Sequence, residues 1–233
     1  MKRRLFCVAP LLAAAAITSS TAFAASPPAA TALRVAGPDM LGTQAVPISA
    51  SRFSDSLKRA REDASSSTAL LRLIAQARSL PRLQQMAFVQ TAVTSNIRWI
   101  SDATEWGQHD YWASASQTLA HRAGDAKNRA IVKFQALRTL GFSNSDLFLT
   151  LARDRVGGPL TVLTVRSDGH YYVMDDTGSP PFLAESRRFE LQPVMSFGMY
   201  GAWVHVRPAT ASATPDSGTL VAAAADSSRI VQK

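Results

Sequence analysis

Apolar residues recur every three or four positions through the first half of the chain, then fall into short continuous or alternating runs through the second. Ser54 to Ala64 predicts a charged helix, and Ala69 to Ala77 a second one around Leu70, Leu71, Leu73 and Ile74. Leu80-Pro81 opens a longer helix to about Trp99, with Met86, Val89, Val93 and Ile97 on one side; proline is tolerated in a first turn. Ser114 to His121 predicts a short helix. The best-marked helix runs from Gly124 to Gly141. Asp125 can accept from the first-turn amides and Gly141 suits the left-handed turn that ends a helix. Ala126, Ala130, Phe134, Leu137 and Leu140 share one face of it. Beyond Gly141, Leu147 to Ala152, Leu160 to Val165 and Tyr171 to Met174 have strand character, and Gly157-Gly158-Pro159, Ser167-Asp168-Gly169 and Asp176-Thr177-Gly178 punctuate them as turns. Phe189 to Met195 and Ala202 to Val206 are expected as edge strands. Helices first and strands afterwards predict one α+β domain over residues 53–207, its N-terminal helices packed on an antiparallel sheet.

The flanks read differently. Lys2, Arg3 and Arg4 precede an apolar run from Leu5 to Ile17 and then Ala22-Phe23-Ala24, the pattern of a secretory signal peptide over residues 1–24. The run is too short to span a membrane, so the mature protein is expected in the periplasm or secreted, with no membrane insertion after cleavage. Residues 25–52, rich in Ala, Pro, Ser and Thr, predict a flexible linker, and residues 208–233 a disordered tail. Three cations of the formal net charge of +8 lie in the leader, and the rest are scattered along helices. Such dispersion does not favour nucleic-acid binding.

Candidate chemistry is sparse. Cys7, inside the leader, is the only cysteine, so the mature chain has no thiol nucleophile, thiolate ligand or disulfide. His109, His121, His170 and His205 form no metal-ligand spacing, and no phosphate-binding or dinucleotide fingerprint occurs; no metal and no cofactor are expected. The start of the Gly124–Gly141 helix is where unpaired amides and the helix dipole would stabilise a thiolate. Its first helical residue is Ala126. Before it, Ile100 to Trp112 carries Trp106, Asp110, Tyr111 and Trp112 and predicts an ordered, aromatic-packed loop.

Ser101-Asp102, Trp106-Gly107, Asp110-Tyr111-Trp112, Gly124-Asp125, Ala130-Ile131 with Lys133, Val162-Leu163, Met174-Asp175 and Ser196-Phe197 before Trp203 occur in an order that resembles the bacterial transglutaminase-like cysteine proteinases. That family includes periplasmic proteases that release adhesins in biofilm control. The resemblance implies a papain/transglutaminase-like fold in which a cysteine opens the helix of a Gly-Asp-Cys-Glu-Asp run. It also implies a histidine at the start of a strand, oriented by an aspartate. Here the matching positions are Ala126, Leu160 and Asp175. The resemblance further implies calcium held by acidic residues beside the cysteine, where this chain has Asp125 but Lys127, so no metal is expected there. With nucleophile and base both replaced, the chain is expected to be an exported pseudo-protease whose vestigial cleft binds a peptide or protein partner, by analogy a surface adhesin or a receptor that regulates the protease. Trp106, Asp110, Trp112, Asp125 and Lys127 are the expected cleft residues. The alternative is an active hydrolase with a non-thiol site around His109 or His121.

Overall fold

The computed structural model describes residues 36–187 and 190–208. The expected leader, the first part of the expected linker and residues 209–233 of the expected tail lie outside the described residues. In chain order the elements are β1 (Gln44–Pro47), α1 (Ser54–Ala60), α2 (Thr68–Ile74), α3 (Arg82–Asn96), β2 (Arg98–Trp99), α4 (Asp102–Trp106) and α5 (Ala115–His121). They continue with β3 (Ala123–Gly124), α6 (Ala126–Thr139), β4 (Leu147–Asp154), β5 (Pro159–Ser167), β6 (His170–Met174), β7 (Phe182–Leu183), β8 (Leu191–Phe197) and β9 (Ala202–Val206). Seven strands form one antiparallel sheet in the order β1-β9-β8-β4-β5-β6-β7. α6 packs on one face of it, and α3 and α5 pack on α6, an α+β architecture.

Two expectations fail at the edge of the sheet. β1 lies within residues expected to be a linker, yet it pairs with β9 from Gln44 opposite Val206 to Pro47 opposite Trp203. Met40 and Leu41 just before it are buried. Because β1 takes the edge, β8 and β9 are inner strands. An edge strand buries little, so β1 carries no apolar alternation for the sequence to display. Gly37 also belongs to this packing, since a Cβ there would come within 2.6 Å of both Trp203 and Ala45.

α6 is the central helix. Asp125 Oδ1 accepts from Asn128 N at 2.9 Å. At the other end Phe142 N donates to Leu137 O and Gly141 N to Arg138 O, with Gly141 at φ +88°. These are the paired bonds of a Schellman turn, which glycine permits without steric cost. Every residue from Lys127 to Leu137 is buried, polar ones included. Each buried polar side chain therefore needs a partner. Arg129 donates to Asp176 Oδ1 (2.9 Å) and to Ile97 O (2.5 Å), Gln135 to Ala60 O (2.8 Å), and Lys133 to Asp175 O. Burial lowers the Lys133 ammonium to about 8.

The pleat of the sheet sorts residues onto two faces. Leu147, Leu149, Leu163, Val165 and Met174 join the main core with α6. Val162 and Val173 pack with Met40, Leu41 and Ala184 on the other face. That second face carries a row of hydrogen-bonded polar groups, buried except for the partly exposed His205. Thr164 donates to Thr150 (3.0 Å), Thr150 pairs with Ser196 (2.9 Å), Ser196 with His205 Nε2 (2.8 Å), and His205 Nδ1 with Thr43 (2.8 Å). The Thr43 hydroxyl donates to Met40 O, so it accepts from His205 Nδ1–H. The imidazole is thereby fixed as the neutral Nδ1–H tautomer, with Nε2 accepting from Ser196. Burial lowers His205 to about 4.

Candidate binding cleft

A cleft of about 250 Å³ opens at the N-terminus of α6. Asp125, Ala126 and Lys127 form one side of it, and Leu160 and Thr161 of β5 another. Phe53, Leu151, Pro159 and the half-exposed Trp99 supply apolar surface; His109, Asp110 and Trp112 come from the aromatic loop.

Local structure explains why the loop stands there. β2 and β3 form a two-residue parallel pair, Arg98 opposite Ala123 and Trp99 opposite Gly124, which pins the start of the loop beside the start of α6. Ser101 caps α4, and Gly107 ends it in the left-handed region. Asn128, on the first turn of α6, donates to Asp102 Oδ1 (2.9 Å) and accepts from Ala113 N (3.0 Å), holding both ends of the loop. Gly124 is a packing requirement: a Cβ would lie 2.8 Å from Asn128 Cβ.

Lys127 is the electrostatic centre. Its Nζ lies 2.5 Å from Asp102 Oδ2, 3.0 Å from Asp125 Oδ2, 3.3 Å from Tyr111 O and 3.4 Å from Asp110 Oδ1. Burial opposes its charge, but Asp125, Asp102 and Asp110 together outweigh burial and raise its pKa above the ordinary value. For Asp102 burial wins over the attraction of Lys127, and its carboxyl shifts upward.

The expected site residues separate into three groups. Asp110, Asp125, Lys127, Ala126 and Leu160 line the cleft. Trp112 reaches it only as floor: it is 1% exposed, packs edge-on against Phe197 at 5.7 Å, and donates its indole N–H to Asp110 Oδ1. Trp106 is not among the lining residues; it stacks between Tyr111 (4.9 Å) and His121 (4.7 Å). His121 is held by Glu105 at 2.7 Å and is not in the lining either, whereas His109 is. Asp175 follows β6 and accepts through Oδ1 from Thr177 N, Thr177 Oγ1 and Gln90 Nε2, so it anchors the turn into Gly178.

Trp99 and Thr161 line the cleft although neither was among the expected residues, and Asp102, equally unexpected, is buried behind the lining as the partner of Lys127 and Asn128. Thr161 was hidden by strand parity. Leu160 borders the cleft, but its side chain packs with the Met40–Val173 cluster on the far face of the sheet. Thr161 has the parity of Leu163 and Val165, whose side chains face α6. A one-residue displacement on a strand exchanges faces.

A buried helix whose N-terminus opens onto a cleft against an antiparallel sheet defines a transglutaminase-like α+β protein. The chain belongs to the bacterial transglutaminase-like cysteine proteinase (BTLCP) family, whose model matches residues 42–209. LapG of Legionella pneumophila is similar in fold, with 23% identity and a TM-score of 0.51 over 79% of this chain and 99% of that one. Calcium-bound LapG matches with 22% identity and a TM-score of 0.52 over 75% of this chain and 98% of that one. A comparison with curated proteins finds no match. Among the described residues no helix is long and apolar enough to cross a membrane.

Proposed function

We propose that this chain is an exported, non-hydrolytic member of its family that binds an extended peptide segment of a protein partner in the cleft at the start of α6. The observation that carries the reading is Ala126 at the first position of that helix, in a chain whose single cysteine lies at position 7. A helix start aimed into a cleft can polarise a carbonyl, but with Ala126 at its first position it offers no thiol to attack an amide. Binding is the function left to a pocket with apolar walls and a few convergent polar groups. By analogy with the family's adhesin-releasing proteases, the partner is a surface adhesin or a receptor that regulates such a protease, met in the periplasm or outside the cell.

The test is to titrate peptides tiled across surface adhesins of the source organism against the protein while following tryptophan fluorescence, since Trp99 and Trp112 both border the cleft. Saturable binding that Trp99→Ala weakens at least tenfold, with intact peptide recovered, supports the reading. Peptide hydrolysis that resists iodoacetamide and is abolished by His109→Ala overturns it in favour of a non-thiol hydrolase.

A further inference from the structure

Calcium is the group that the family resemblance implies beside α6, and LapG of Legionella pneumophila has a calcium-bound structure. The residues of this chain do not fit it. The oxygens a metal would need there converge on Lys127 Nζ instead: Asp102 Oδ2, Asp125 Oδ2, Asp110 Oδ1 and Tyr111 O, at 2.5 to 3.4 Å. Calcium holds its oxygens at about 2.3–2.6 Å, so this cage is mostly wider than a calcium shell and is spaced for N–H···O bonds. The ammonium at its centre would also repel a divalent ion.

The three carboxylates come from separate segments. Asp102 begins α4, Asp110 lies in the loop after it, and Asp125 caps α6. Their mutual repulsion would drive the loop away from the helix if nothing positive stood between them, most of all at Asp102, whose side chain is 3% exposed. Lys127 contacts all three and the Tyr111 carbonyl. We propose that the Lys127 ammonium is a resident, covalently tethered cation that takes the place of a bound metal and locks the aromatic loop onto the start of α6. A tethered cation does not dissociate, so the cleft is assembled at any calcium concentration. The lock is independent of what the cleft binds, because an empty cleft would need it equally.

The test uses the full chain with its Lys127→Met and Lys127→Glu variants, each melted in millimolar calcium and in EGTA. Acrylamide quenching of tryptophan fluorescence reads loop order, because Trp99, Trp106 and Trp112 are three of the chain's four tryptophans. The wild-type melting temperature should be the same in both conditions. Lys127→Met, which keeps the stem and removes the charge, should melt at least about 5 °C lower and show more accessible tryptophans. Lys127→Glu adds a fourth carboxylate and should be destabilised in EGTA and recover several degrees in calcium, a response that lost packing alone would not give. An EGTA-reversible rise of the wild-type melting temperature in calcium overturns the proposal. So does a Lys127→Met protein that melts and quenches like wild type.

Discussion

Placing a thiol and an imidazole back into the cleft tests which strand position faces the helix start. Ala126→Cys alone puts a thiol at the first position of α6. The helix terminus stabilises a thiolate by about 0.3–1 kcal/mol. Three carboxylates lie close by, and Lys127 balances only one of them. The single variant should therefore titrate near or above the unperturbed value of about 8.5. Adding Thr161→His places an imidazole on the face of β5 that looks toward α6. An imidazolium partner brings cysteines into the range of about 3.5–7.5. A fall of two units, to about 6.5, would raise the thiolate fraction at that pH from about 1% to about 50%. Intrinsic nucleophilicity falls as pKa falls, by about 0.4–0.5 log units per unit. Iodoacetamide should thus alkylate the double variant about sixfold faster at that pH, with the inflection of the rate profile shifted acidward. Ala126→Cys with Leu160→His is the control, and its profile should match that of the single variant, because Leu160 packs on the far face. Each protein is checked for folding by its melt. A shift in the Leu160→His pair and none in the Thr161→His pair would refute the parity argument and restore Leu160 as the position facing Ala126.

Gly124→Ala should cost about 1–3 kcal/mol through overpacking, because its Cβ would press on Asn128 Cβ at 2.8 Å and Thr118 Cγ2 at 3.2 Å; a melt that moves by less than a degree would contradict this. Stability should rise with pH in two windows, because His205 and Lys133 are bases whose folded pKa values lie below their unfolded ones. The His205 contribution is fully present above about 6.5 and is lost as pH falls toward 4, where the protonated ring can no longer accept from Ser196. The Lys133 penalty is fully present below 8 and is relieved as pH rises toward about 10.5, each window being worth at most roughly 3 to 4 kcal/mol. Melting curves across pH check both, with His205→Asn flattening the acid window and Lys133→Met the alkaline one.

Elements with their own local signals were legible in the sequence. Asp125 and Gly141 mark the ends of α6 because capping is a short-range matter, settled by residues within a few positions of each other. The three strands after Gly141 could be read from continuous apolar runs, and the alanine at the helix start from residue identity alone. Whatever depends on a distant neighbour was not legible. β1 buries too little to show a pattern and exists because β9 offers it an open edge. Trp106 and Trp112 look alike in the loop, yet packing stacks one against His121 and drives the other into the core. Residue type and order along the chain point to Leu160, whereas the face a strand position presents is set by the pleat against α6, which puts Thr161 on the side of Leu163 and Val165. Lys127 was readable as a repulsive charge beside Asp125. Only the folded chain brings Asp102 and Asp110 to it and makes that charge the point on which three segments close, because attraction between buried charges depends on their separation in space and not along the chain.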